Sequence, residues 1–267
     1  MSDLWTPGSF SRAELASALI LGRVACEEVS HDRADVLWKA RRLTEGDPRL
    51  QFGIEGLAGR ASWTQVLAWM AEEAGFDPDP SLGHGPVPVD PERVLDRLDE
   101  AGERLALAAR NGERVLVATG HPSGLIELDM ALAGLLARSG ASLLRPLEGR
   151  TWRVDGHRQG VRYVGGVAFL SWGGSAMHTH SPEPMERMLE EARPDLVFAD
   201  HGFAGAAIQA GVETISIADV NDPALVVAKR LGRTRTVIVM DDNVEPADYW
   251  PCFQAIAARF PHEDGGR

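Results

Sequence analysis

LVFADHGFAGAAIQAGVETISIADVNDPALVVAKRLGRTRTVIVMDDN, residues 196–243, holds three short β-rich apolar runs separated by two stretches of helical length. The runs are Leu196 to Ala199, Thr214 to Ala218 and Thr236 to Met240, and the intervening helices stop at Gly211 and Gly232. Short apolar runs alternating with helices of ~10 residues predict right-handed βαβ crossovers and a mostly parallel sheet. Each run delivers polar residues at its carboxyl end: Asp200-His201-Gly202, then Asp219-Val220-Asn221-Asp222, then Asp241-Asp242-Asn243. In open α/β sheets those ends line the ligand crevice, so this stretch predicts both the fold and the place of the site.

The same grammar continues upstream. Val115 to Thr119 reads as a strand that enters the turn Gly120-His121-Pro122-Ser123-Gly124, followed by a helix from Leu125 to Arg138 and a strand over Ser142 to Leu144. Val161 to Leu170, interrupted by Gly165-Gly166, reads as one bent strand or a hairpin. Before Arg114 the rhythm is helical. Ser11 to Leu43 keeps helical spacing with few breakers, Ser62 caps a helix closed by Gly75, and Asp90-Pro91 opens another that runs to about Arg110. A loop rich in Pro and Gly, 76–88, is a plausible lobe boundary. The expected architecture is an α/β fold with a mostly parallel, three-layer, Rossmann-like sheet and an N-terminal helical lobe. Residues 1–111 form the lobe, and 112–267 form the α/β domain that carries most of the site.

Charge narrows the class of partner. Lys plus Arg number 27 against 39 Asp plus Glu, a formal net charge of -12. That balance repels nucleic acid but leaves room for a small phosphate ester, because a few local donors or a metal reverse the field inside a cleft. No apolar run approaches the ~20 residues that cross a bilayer. The start shows no basic region followed by an apolar stretch, and Cys26 and Cys252 suit a reducing compartment. A cytoplasmic protein with no membrane partner is expected, and a homodimer is compatible with this composition.

Candidate groups each have a plain structural alternative. Asp222 before Pro223 also suits a helix cap, and Asp241-Asp242 also suits a solvated turn, although adjacent acids need a cation or solvent to relieve their repulsion. The Gly120 to Gly124 turn precedes a helix, so its N–H groups and His121 and Ser123 are candidates to receive a phosphate; a tight turn alone is the other reading. His178 and His180, one residue apart on an extended segment, point the same way, as a metal site or an acid–base pair requires. Arg33, Lys39, Arg41 and Arg42 form a basic group on one helix, read as a solvated face or as completing a phosphate pocket, chiefly through Arg33 and Arg41. The seven tryptophans, Trp38 among them, read first as core, with stacking on a sugar or base as the alternative.

HTHSPEPM at 178–185 with its preceding Met177, DLVFADHGFAGAA, ADVNDPAL and DDNVEP, together with ATGHPSGL, RYVGGVAFL and GDPRLQFGIE, resemble the actinobacterial proteins catalogued as phosphatase. The similarity runs over nearly the whole chain. It implies phosphate-ester hydrolysis and covers His121, His178, His180, Asp200, His201, Asp219, Asn221, Asp222, Asp241, Asp242 and Asn243. One departure stands out: where an Asn-rich helix is expected before the Arg pair, this chain has Asp35-Val36-Leu37-Trp38-Lys39, which points to an altered substrate if that helix lines the pocket.

The expected mechanism is metal-assisted hydrolysis of a phosphate monoester of a small metabolite, a sugar phosphate or nucleotide-like compound. Asp219, Asn221, Asp222, Asp241, Asp242 and Asn243 would hold a divalent cation, Mg²⁺ or Mn²⁺, which suits oxygen ligands. His178 or His180 would protonate the leaving oxygen, and Asp200 or His201 would orient the water. The alternative is a sugar-phosphate or nucleotide binding protein without turnover. A barrel metallophosphoesterase needs more chain after His180 than is present, and no strand ends in the paired-Asp signature of the haloacid dehalogenases.

Overall fold

The computed structural model describes residues 3–261. Its sheet has the order β3-β4-β5-β1-β7-β8-β9, built from β1 (Arg114–Thr119), β3 (Thr151–Val154), β4 (His157–Val164), β5 (Val167–Trp172), β7 (Leu196–Asp200), β8 (Thr214–Ala218) and β9 (Thr236–Val239). Short β2 (Ser142–Leu143) pairs with β1, and β6 (Ser175–Ala176) with β5. β5, β1, β7, β8 and β9 run parallel, while β3, β4 and β6 add antiparallel pairs at one side. The fold is therefore α/β, with a mixed, mostly parallel sheet and helices before it. Val161 to Leu170 resolves as a hairpin, with Gly165 and Gly166 at positive φ in its turn. β7 and β8 are buried at every residue, as strands covered on both faces must be.

The chain order places a topological switch at β1, whose neighbours β5 and β7 lie on opposite sides. Right-handed crossovers leaving in opposite directions put helices on opposite faces and open a crevice at the strands' carboxyl ends. α4 (Pro91–Arg110), α5 (Ile126–Arg138) and α9 (Trp250–Ala257) pack together; α6 (Glu183–Glu191), α7 (His201–Gln209) and α8 (Pro223–Arg230) form the other group. α2 (Arg33–Thr44) and α3 (Trp63–Ala74) pack on α8, and buried apolar residues from 5 to 260 form one continuous core.

The N-terminal region departs from the helical reading of Ser11 to Leu43. The chain forms α1 (Arg12–Leu21), with a Ser11/Glu14 capping box, and then leaves the helix at Gly22. α2 starts only after Asp32, whose carboxylate accepts the N–H of Ala34. The residues between, 22–32, run along the sheet end: the N–H of Asp241 donates to the carbonyl of Val24 at 2.9 Å. Apolar spacing was continuous across this loop because Val24, Ala25 and Val29 are buried in it.

Candidate active site

Four strand ends and the segment after β6 meet at the switch point. Asp200, His201, Asp219, Asn221, Asp222, Asp241, Asp242 and His121 are none of them more than 4% exposed. So dense a set of buried polar groups requires partners, and the partners define the site.

β7 ends on Asp200, whose carboxylate accepts from the Thr119 hydroxyl and the N–H of Gly120 and lies 3.1 Å from Nδ1 of His201. Asp200 is thus engaged in orienting His201. That histidine sits at φ 43°, a left-handed conformation costing roughly 1–3 kcal/mol in a residue with a side chain. Its Nε2 lies 3.4 Å from Asp222 and 3.2 Å from Asp242. Burial opposes its charge, but Asp200 and Asp242 outweigh burial and hold the imidazole well above its ordinary pKa. Burial likewise opposes charge on Asp242, yet His121 and His201 hold that carboxyl well below the usual range. Asp219 is pushed up, by burial first and then by repulsion from Asp242, with its contact to His31 working the other way.

The turn after β1 is spent on its own architecture. The N–H groups of Gly120 and His121 donate to Asp200 and Thr119, and those of Gly124 and Leu125 to the carbonyl of His121. Few donors remain for the anion expected there, and Ser123 is exposed. Gly120 is required by close approach: a Cβ would lie 2.4 Å from the carbonyl of Thr179, which accepts no room for it, while the N–H of Thr179 donates to the Gly120 carbonyl at 2.8 Å. A Cβ on Gly124 would similarly crowd the Asp242 carbonyl.

That contact draws the histidine pair over the crevice. His178 stacks on His121 and His180 on His201, at centroid separations of 4.2 and 4.3 Å. The Nε2 atoms of His178 and His180 are 3.3 Å apart. Burial, followed by neighbouring imidazoles, lowers both pKa values, that of His180 to about 4. Phe52 packs edge-on against His180 and His201 at 5.3 and 5.7 Å.

Several participants were not foreseen. Ser30 donates its N–H and hydroxyl to Asp241 at 2.6 and 2.8 Å, and His31 Nε2 meets Asp219 at 2.6 Å. The Asp219 partner raises the pKa of His31, against burial. Lys39 donates to Asn221 at 2.6 Å and Asp222 at 3.1 Å, and Asn221 donates to Asp35 at 2.6 Å. Lys39, read with its neighbours as a solvated face or as completing a phosphate pocket, is the member of that basic group that reaches the cluster. Arg33 instead donates to the carbonyls of Asp79 and Leu82, and Arg41 lies over the Trp63 ring at 4.3 Å. Helical periodicity turns these two away from Lys39's direction, so the structure does not bring them to the cluster. Asn243 is exposed and contributes its N–H to Asp241, while the Asn221 side chain is occupied by Lys39 and Asp35.

The donors suit a metal ion. Three triads each place one ligand atom per residue within 4.8 Å of the others: His178, His180 and His201; His201, Asp222 and Asp242; Asp219, Asp241 and Asp242. His121 Nδ1 is buried without a hydrogen-bond partner, and buried Asp242 Oδ2 has an ion-pair contact with His201 Nε2 at 3.2 Å but no hydrogen bond. Two nitrogens each about 2.1 Å from one ion lie about 3.0–3.4 Å apart, which the His178/His180 separation matches.

The model of the family described as Phosphatase matches residues 10–261. A Streptomyces coelicolor protein named Phosphatase SCO2771 is 41% identical over 251 residues, covering 91% of this chain and 94% of its own length. The chain belongs to the Phosphatase family.

Proposed function

We propose that this protein hydrolyses a phosphate monoester of a small metabolite with the help of a divalent cation. The observation that carries the reading is the convergence of four imidazoles and five buried acids at one switch point, grouped in triads whose ligand atoms lie within 4.8 Å of one another. Family membership supplies the reaction class.

Asp219, Asp222, Asp241 and Asp242 would hold the cation from the strand ends. Carboxylate ligands suit Mg²⁺ or Mn²⁺, and the adjoining imidazoles favour Mn²⁺. When bound, such an ion supplies positive charge that neutralises phosphoryl oxygens during in-line attack by water. His178 and His180 are held neutral, so their lone pairs serve to complete the ligand set or to accept the proton of the attacking water. Burial disfavours an extra proton on either ring, which argues against the general-acid role expected of them, and His201 stands beside the acids as a further candidate ligand. Asp200 fixes that ring, and Lys39 keeps Asn221 and Asp222 aligned.

Purified protein incubated with a panel of phosphate monoesters and Mg²⁺, Mn²⁺, Co²⁺ or Zn²⁺ is expected to release phosphate, and exhaustive chelation is expected to abolish it. Asp242→Asn should lower kcat at least ~10²-fold, because it removes a ligand and the counter-charge of His201. Turnover that survives chelation, or a near-native Asp242→Asn enzyme, would remove the cation from the mechanism.

A further inference from the structure

A pocket of about 540 Å³ opens beside the His/Asp cluster and shares His180 with it. Its other walls are Trp38 on α2, Pro48, Arg49 and Leu50 from the following turn, and Ser181 and Pro182 after the histidine pair. The size is that of a small-molecule site, and the shared imidazole places it next to the reacting centre. A leaving group attached to a phosphoryl group in the cluster would extend into it.

The wall chemistry selects the occupant. Trp38 is 48% exposed, an unusual state for an indole in a chain whose other large aromatics are mostly covered. Its neighbours here include two prolines and a leucine, which offer a flat ring contact area, and the one wall hydroxyl, Ser181, already accepts the N–H of Glu183 at 3.3 Å. The guanidinium of Arg49 is already engaged by Asp47 at 2.7 Å. Trp38 is also held in place. Asp35 and Lys39, on either side of it along α2, both clamp Asn221, and Val36 and Leu37 are buried. The stretch of α2 that carries the indole is therefore fixed beside the site.

We propose that Trp38, with Leu50, Pro48 and Pro182, forms the leaving-group subsite and selects phosphate monoesters whose leaving group carries a flat heteroaromatic ring, of the nucleobase kind, over polyol phosphates. The proposal rests on the phosphatase reading of the adjoining cluster. Stacking of such a ring on an exposed indole is the interaction that supplies the preference.

The test compares adenosine and uridine 5′-monophosphates with ribose 5-phosphate, which share the same primary leaving oxygen and differ in the ring. The full-length protein with its activating cation should prefer the nucleotides by about tenfold or more in kcat/KM, mostly through KM. Trp38→Ala should bring that ratio to within about threefold, and Trp38→Phe should keep most of it. Adenosine binding, followed by thermal stabilisation, should weaken in Trp38→Ala. Phosphate release without preference, or a ratio unmoved by Trp38→Ala, overturns the subsite and leaves the phosphatase reading intact. Trp38-dependent adenosine binding with no turnover of any monoester sinks the phosphatase reading and keeps the ring site. Neither binding nor turnover sinks both.

Discussion

His201 shows how much one side chain organises. It is buried, strained at positive φ, and charged between Asp200, Asp222 and Asp242. A cation bound among those acids competes with the imidazole's proton, because ligands bind metals deprotonated and carboxylates favour whichever positive charge is nearer. The pH dependence follows from direction alone. His178 and His180, lowered in the folded state, act the other way mainly below about pH 7, whereas His201, His31 and Asp219 have folded-state values raised above their ordinary ones and add protons to the folded state. Their stabilisation is complete below the unfolded values and is lost as pH rises through the folded ones. The metal-free protein is therefore expected to lose thermal stability from pH 6.5 to 8.5. Saturating Mn²⁺ should reverse the slope. A Tm measured across that window in both states checks this; a metal-free Tm that rises would contradict it. Of these residues, Asp219 and His201 were legible as strand-end polar groups. His31 was not, since a lone histidine inside apparently continuous helical spacing carries no local signal.

At the scale of elements, the histidine pair is useful only because β6 returns the chain across the crevice and α7 lets it come close. A Cβ on Gly202 would lie 2.3 Å from the carbonyl of His180, and Gly205 is crowded in the same way by the backbone of Phe52. The first turn of α7 thus acts as the seat for two segments distant in sequence. Gly202→Ala is expected to push the 180–181 segment outward, separate His180 from His201, and lower kcat by about tenfold or more, since displacements near 1 Å cost that much in a positioned site. Far-UV circular dichroism should remain native while activity falls; a native kcat would show that the seat tolerates the methyl group. The parallel strands and the helices between them could be read from periodicity, but β3, β6 and the first half of β4 could not, because they are short or largely exposed. The break between α1 and α2 could not, because the loop buries its own apolar residues and so imitates a helix face.

For the molecule as a whole, the helical first 111 residues and the α/β remainder share one apolar core, with α4 on β9 and α9 and with α3 on α8. The division at 111 and 112 remains a proposal about organisation. Its apolar contacts and the polar links from Ser30, His31 and Lys39 lead to the expectation of a single cooperative unfolding transition for the whole chain. Coincident curves from tryptophan fluorescence and far-UV circular dichroism would support it; two separated midpoints, or a stable proteolytic fragment ending near residue 111, would restore the two-unit picture. Among the described residues no helix is long and apolar enough to cross a membrane.

Local chemistry was enough to foresee a parallel sheet with acids and histidines at its carboxyl ends, because strand periodicity and end residues are properties of contiguous segments. The family also followed from contiguous motifs. The tertiary structure alone decided which polar groups meet: Lys39 with Asn221 and Asp222 rather than Arg33 or Arg41, Ser30 and His31 with the acids, and Asp200 with the turn that seemed ready for an anion. Those pairings join residues as much as 211 positions apart. They depend on helix phase, loop path and close backbone approach, which no short stretch of sequence contains.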